Sequence, residues 1–502
     1  MKLKILALSA LIGIAWFADS ASAQVSKITP KVTQTAISFF EAGLQDSEKL
    51  PFVLAGLRST KSPALLPLYK LFLESSEKSH RMIATVQIAQ IAGKDAVPYL
   101  RARFLNDSQM VIRVRALLEL QKLNALQVKD LQKVIKLQDQ ELQLLCARAL
   151  IRKNKANLAE PVLQKLTKSK DINTAIFARM SLVRAGDQIQ VSYLKRFANS
   201  EEASTQLKLF MLSHITEDKI EALLPVVKLF TQSPINKIRV RAYQALLALQ
   251  PTSTREISRT ILASDSIYLQ INLLRLLADS KKSPSMLKNL SSIKGTAGQV
   301  ARFEYNRLTK NYGKSQVKLV TDLLAEREPI IIEYVLNRMR QDTKKIQTSA
   351  DFYTPGVLKY INSEKLSEQG LTRTNDRVAQ AIYLLADLDT RQALAGIKKL
   401  LQTRNNDTLV MLTTGALYRS DNPSCADLVR PLLKSPVANI RHYAAITCAK
   451  FGDPSAIPVL IEIQQSKLLS GSTDLLTLTN WYLLKLGGIE KNAFISITKS
   501  LD

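Results

Sequence analysis

A short polar residue fit to start a helix returns about every 31 residues through the first half of the chain. The markers are Asp46, Glu77, Asp107, Asp139, Asp171, Glu201, Ser233 and Asp265, spaced 31, 30, 32, 32, 30, 32 and 32. Each precedes a helical apolar pattern, such as Val111, Val114, Leu117 and Leu118 after Asp107, or Leu142, Leu145, Cys146 and Ala149 after Asp139. Asp and Ser are favoured N-caps because a short side chain can accept from the first free backbone N–H groups. A second marker keeps the same phase: Pro67, Pro98, Pro161 and Pro225 are separated by 31, 63 and 64 residues, and Pro458 stands in a similar phrase. Proline suits the first turn of a helix, where its missing N–H would have no partner. A fixed period of this length means stacked helical hairpins, each burying its apolar face against the next.

The most regular unit is Ser435 to Ile463. A helix follows Ser435-Pro436, places Ala444, Ala445, Cys448 and Ala449 inward, and stops at Gly452. Asp453-Pro454 makes the turn, and Pro458 falls in the first turn of the next helix. The wording Ile-Arg, Ala-Ala, Gly-Asp-Pro, Ala-Ile-Pro-x-Leu resembles the short bacterial HEAT-like repeat of the phycobilisome-lyase type. That resemblance implies an all-α, right-handed α-solenoid (HEAT-like/ARM-type superhelix) of about 13–14 stacked helical hairpins over this chain. The repeat array is expected over residues 24–340. Phase is lost over 341–371, an irregular insertion or degenerate repeat, and regained over 372–502 at Asp376, Asp407 and Val437.

Residues 1–23 read as a secretory signal peptide: Lys2 and Lys4, an apolar run from Ile5 to Phe17, and a small-x-small site before cleavage between Ala23 and Gln24. The run is too short to span a bilayer, and no later segment is long and apolar enough. These features predict a secreted protein of the bacterial periplasm, monomeric and without a transmembrane segment in the mature chain. Three cysteines are too few for a disulfide framework. Cys146 reads as a small core residue. Cys425 and Cys448 lie symmetrically about the turn at Pro436, so an antiparallel hairpin would bring them opposite each other. In an oxidising compartment this makes Cys425–Cys448 a candidate disulfide, the alternative being two neighbouring buried thiols.

No metal, nucleotide or hydrolase motif occurs, and His80, His214 and His442 are scattered. The pairs Glu201-Glu202 and Glu217-Asp218 read as helix-capping acids. The expectation is therefore a non-enzyme with no cofactor. Formal net charge is +27, and residues 101–200 alone carry 19 Lys and Arg against 8 Asp and Glu. Arg115, Arg148, Arg179, Lys208, Arg241, Arg275, Arg307 and Arg338 recur at intervals of 29–34 on successive second helices. The HEAT-like resemblance puts such helices on the inner, concave face, where these residues would line a basic groove. Two other readings stay open: a solvated basic surface, and structural arginines of the kind the family shows at Arg113, Arg239 and Arg441. A two-residue slip turns a side chain about 200° around the helix. Scarce aromatics, with Trp481 the sole tryptophan after the leader, count against nucleic acid. The chain is thus expected to be an exported scaffold for a protein or an anionic envelope polymer. The alternatives are an electrostatic nucleic-acid binder and a HEAT-like enzyme of the lyase or glycosylase type.

Overall fold

The computed structural model describes residues 28–501 apart from 281–283, 312–313, 327, 344–349, 367–371, 403–405 and 467–472. The expected signal peptide and its cleavage point at Ala23–Gln24 lie outside the described residues, as do parts of 341–371. Among the described residues every regular element is helical. The fold is the expected all-α solenoid, and it divides into two compact units.

The larger unit, Tyr69–Asp342 with Pro355–Tyr360, is a run of hairpins. Its long helices Lys78–Ala92, Met110–Lys122, Gln140–Arg152, Ile172–Ala185, Thr205–Asp218, Asn236–Leu249, Ile267–Asp279 and Thr296–Leu308 each pack on the next. Shorter helices such as Val97–Asn106 and Ala156–Leu166 complete the pairs. Capping sets the starts. Asp139 accepts from the Leu142 N–H at 2.8 Å, and Asp171 from Thr174 N–H at 3.0 Å. At five of the eight repeats the marker is displaced: Asp46, Asp107, Glu201, Ser233 and Asp265 stand one to three residues ahead of the cap, which is Lys49, Gln109, Ser204, Ile235 or Ser266. Ser204 and Ser266, not Glu201 and Asp265, accept from Leu207 N–H and Leu269 N–H. A cap side chain must fold straight back on its own helix, and only a short one standing at the cap position itself does so. Inward positions then follow the helical period, as with Leu142, Leu144, Cys146, Ala147 and Leu150, all buried.

Four residues after the cap a second device recurs. Arg81 donates to the carbonyls of Ser75 and Ser76 at 2.8 Å each, and Arg113 to the carbonyl of Asp107. Gln143 and Gln270 reach the Ile135 and Ser264 carbonyls in the same way. The carbonyls ending a helix have no intrahelical partner, and these long side chains supply one. Inside 341–371, Ala350–Ser363 is helical despite Pro355.

The smaller unit takes in the described residues of 28–68, 343–354 and 361–501. Helix Ala438–Lys450 ends as expected: Gly452 has φ +81°, Gly452 N–H donates to Ala449 O, and Asp453 N–H to Cys448 O, both at 3.0 Å. A short 3₁₀ turn at Pro454–Ala456 then leads into Ile457–Gln465. Arg441 donates to the Ser435 carbonyl at 2.7 Å, repeating the strap of Arg81 and Arg113.

Sequence order does not reveal what covers the last repeat. The first hairpin, Pro30–Gln45 and Leu50–Thr60, packs on Thr473–Leu486 and Glu490–Leu501. Phe40 meets Phe494 with ring centroids 5.1 Å apart, and Gln464 donates to the Val32 carbonyl at 3.2 Å. Gly56 permits the closest approach, since a Cβ there would stand 2.7 Å from Thr477 Cγ2.

The expected Cys425–Cys448 disulfide is not formed: all three cysteines are free and buried. Helices Ser424–Val429 and Ala438–Lys450 do pack together, but Cys448 Sγ lies 3.7 Å from the Ala426 carbonyl instead. Between them Arg430–Lys434 is 3₁₀, not α. At 3.0 residues per turn each 3₁₀ residue adds about 20° of rotation, so a pivot counted at the α period misplaces the far cysteine. Burial pushes the Cys425 thiol up to about 11 and those of Cys146 and Cys448 up to about 12.

Candidate functional site

The eight recurring cations all lie in the larger unit, yet they do not form one row. Arg115 and Arg241 stand six residues after their caps Gln109 and Ile235, whereas Arg179 stands eight after Asp171 and Lys208 four after Ser204. At about 100° per residue these positions point in different directions. Their partners differ accordingly. Arg115 pairs with Glu119 at 2.8 Å. Arg179 donates to Gln190 and lies over the Tyr193 ring, 3.9 Å from its centroid. Arg307 and Arg338 enter a buried ion cluster, while Lys208, Arg241 and Arg275 have no carboxylate within ion-pair distance among the described residues. The eight cations of the sequence reading therefore do not share one bearing; three of them, Arg148, Arg307 and Arg338, enter two ion clusters, each tying together three consecutive repeats.

The first cluster centres on Asp218, the last residue of helix Thr205–Asp218. This corrects its reading as a capping acid, because a carboxylate at a helix C-terminus opposes the macrodipole and needs outside compensation. Arg148 Nη2 donates to Oδ2 at 3.0 Å and Arg152 Nε to Oδ1 at 2.9 Å, both from helix Gln140–Arg152, two repeats away. Arg184, on the intervening helix Ile172–Ala185, brings Nη1 to 2.6 Å from Oδ1 without hydrogen-bond geometry. Burial would raise the Asp218 pKa, but the charges and hydrogen bonds of Arg148 and Arg152 outweigh it and hold it below the usual carboxylate range. Glu217 adds only a 3.9 Å contact to Arg148. Three guanidiniums thus share one buried carboxylate, with Arg152 and Arg184 each about a quarter exposed. Beside them His214 packs against the Phe177 ring at 4.4 Å. Burial, helped by Arg148, depresses its pKa to about 4, so it is neutral at pH 7 and adds no charge.

The second cluster centres on Glu304, fully buried in helix Thr296–Leu308. It accepts from Tyr334 OH at 2.5 Å and from Arg338 Nε and Arg307 Nε at 2.8 Å each. Arg338 also reaches Asp279 at 2.7 Å, and Arg307 reaches Asp342 at 2.8 Å. Here carboxylates outnumber guanidiniums, and the cluster is closed to solvent apart from Asp279. It holds repeats together and offers an incoming anion nothing.

The first cluster alone combines excess positive charge with exposure. Sequence reasoning found Arg148 but missed Arg152, Arg184 and Asp218, whose only signal was an acid at a helix C-terminus. The described residues contain no group of three or more His, Cys, Asp or Glu placed to hold a metal ion, and no helix long and apolar enough to cross a membrane.

Residues 440–466 match the PBS lyase HEAT-like repeat family. No curated protein sequence matches the chain. Similar solved structures include the karyopherin Kap121p bound to the SUMO protease Ulp1p (14% identity, TM-score 0.36, 93% of this chain and 57% of that one). Kap121p bound to Nup53p gives 13% identity and a TM-score of 0.32, over 93% of this chain and 54% of that one. The chain thus spans little more than half the length of either structure.

Proposed function

We propose that this HEAT-like repeat protein is an exported, non-catalytic scaffold that holds an acidic segment of a protein partner on the Arg148–Arg152–Arg184 cluster. One observation carries the reading: three guanidiniums from two adjacent helices converge on a single carboxylate, leaving net positive charge at a partly exposed surface. Arginine presents five donors in a fixed fork, and Asp218 engages only some of those three sets, so an incoming carboxylate finds geometrically matched N–H groups. The Phe177–His214 contact beside the cluster supplies a neutral aromatic edge of the kind protein interfaces use. The leader-like residues 1–23 support export, and the absence of any nucleophile–base or metal motif in the sequence supports a non-catalytic role.

The test is calorimetric titration with a hexaglutamate peptide at low and high salt. The unaltered chain should bind it, with affinity falling as salt rises. Asp218→Asn removes the internal competitor and should strengthen binding, whereas Arg152→Gln with Arg184→Gln should abolish it. If both variants bind like the parent, the cluster only ties repeats together and the reading fails. An anionic polymer such as polyphosphate that binds this site while hexaglutamate does not would shift the partner to an envelope polymer.

A further inference from the structure

We infer that the smaller unit carries a separate pocket for a carboxylate attached to an apolar or aromatic body. Helices Arg373–Leu388, Asp407–Arg419, Ala438–Lys450 and Thr473–Leu486 lie side by side, and Leu50–Thr60 packs on the last. C-terminal residues of several of them open on a cavity of about 640 Å³, within the ~300–1,000 Å³ typical of small-ligand sites. Tyr383, Tyr418, Trp481 and Tyr482 form part of its wall, concentrating aromatic rings in a chain where they are scarce. The Tyr418 and Tyr482 hydroxyls stand 3.4 Å apart, and burial, reinforced by that contact, holds the Tyr482 phenol protonated.

The cations of the pocket divide into two kinds. Lys450 is structural, because its ammonium donates to the Tyr418 and Ser420 carbonyls and to Asp421, engaging three acceptors. Lys485 makes one such bond, to the Lys450 carbonyl at 3.3 Å, and is held over the Tyr482 ring at 5.8 Å. Lys61 and Arg419 are exposed and have no acceptor among the described residues. Against these three stands Glu490, which complements the first turn of Glu490–Leu501. The surplus charge selects an anion, and the rings select an apolar body. The helix C-terminal carbonyls at the rim, each end carrying about half a negative charge, oppose a dianion such as phosphate about twice as strongly as a singly charged carboxylate, which is therefore the better fit to this charge balance. That group could belong to a free organic acid or to the C-terminus of a peptide.

The experiment is calorimetry on the full chain with 3-phenylpropionate, N-acetyl-Ala-Phe, and the amide of each. At least one acid should bind about 10-fold more tightly than its amide. Lys485→Gln with Arg419→Gln should reduce that acid to the affinity of its amide, with the melting midpoint unchanged. Binding of the peptide acid alone assigns the site to a chain terminus, and binding of both acids assigns it to the carboxylate itself. Equal affinity of acids and amides, or no binding of any probe at millimolar concentration, overturns the inference. The Arg152 and Arg184 variants leave this pocket intact, so its failure and that of the acidic-segment site are read separately.

Discussion

Glu304→Gln puts the structural reading of the recurring arginines at risk most directly. The substitution keeps the side chain's size and replaces an oxygen and its charge with an NH₂ group facing guanidiniums. In the parent, Glu304 accepts three hydrogen bonds at 2.5–2.8 Å while fully buried, and Arg338 is 3% exposed. Removing one member of a buried ion pair costs about 3–5 kcal/mol, mostly because the other charge stays behind without its partner. Arg338 retains Asp279, Gln341 and the Arg275 carbonyl, and Arg307 retains Asp342, which places the expectation at the lower end, about 3 kcal/mol. In a repeat array such a loss is felt first by the neighbouring repeats. Hydrogen exchange should therefore accelerate in Thr296–Leu308, Pro329–Thr343 and Ile267–Asp279, roughly 100-fold for that free energy, while Lys78–Ala92 keeps its protection. Adding Arg338→Met removes the stranded charge and should recover part of the loss. Unchanged exchange in those three helices, or a double variant less stable than the sum of the singles, refutes the assignment of Arg307 and Arg338 to structure.

Other consequences can be checked independently. His214 titrates near 4 in the folded chain and near 6.5 unfolded, so protons bind preferentially to the unfolded state between those values. Its contribution is complete above about pH 6.5 and lost as pH falls toward 4, amounting to up to ~3 kcal/mol. His214→Gln should flatten urea midpoints across that window, and an unchanged slope would show that the acid sensitivity arises elsewhere. Gly56→Ala drives a Cβ into Thr477 and should destabilise the packing of Leu50–Thr60 on Thr473–Leu486 by ~1–3 kcal/mol, read by exchange in those two helices. The free, high-pKa thiols predict three alkylations per chain in denaturant without reductant and slow reaction in the native state, whereas a count of one would restore the Cys425–Cys448 bridge.

The repeats were legible because their punctuation is local. A cap, a proline in a first turn and a glycine at αL act within one helix end, so Asp139, Pro458 and Gly452 behave as their neighbours in sequence dictate. The errors arose where a marker's exact register mattered. Asp46, Asp107, Glu201, Ser233 and Asp265 kept the period but not the cap, and five residues of 3₁₀ helix at Arg430–Lys434 defeated a hairpin count that assumed α geometry throughout. The packing of Pro30–Thr60 on the last repeats was out of reach for another reason. Nothing in an apolar stripe says which other stripe will cover it, and the tight crossing at Gly56 shows only once Thr477 is seen against it.

The basic column shows why periodicity in sequence does not guarantee a surface. A residue that returns once per repeat returns to the same height in the stack, but its bearing is set by its distance from the cap, modulo 3.6. The two clusters use that freedom. Arg148 and Arg152 are four residues apart and so share a bearing, and Arg184, at the equivalent end of the next helix, completes the set around Asp218. An Arg four residues after its cap turns toward the preceding loop instead, as Arg81, Arg113 and Arg441 do. Position relative to the cap therefore sorts several of this chain's arginines by role. Four places on, Arg81, Arg113 and Arg441 secure loops while Arg239 reaches the Asn236 side chain instead. Near the C-terminal end Arg148, Arg152 and Arg184 meet a carboxylate one or two repeats away. By that rule Lys208, four places after Ser204, belongs with the strapping residues by position and has no such bond, so Lys208→Arg should gain a loop contact and leave hexaglutamate binding unchanged. A loss of binding in Lys208→Arg would mean that the anion site extends beyond the Asp218 cluster.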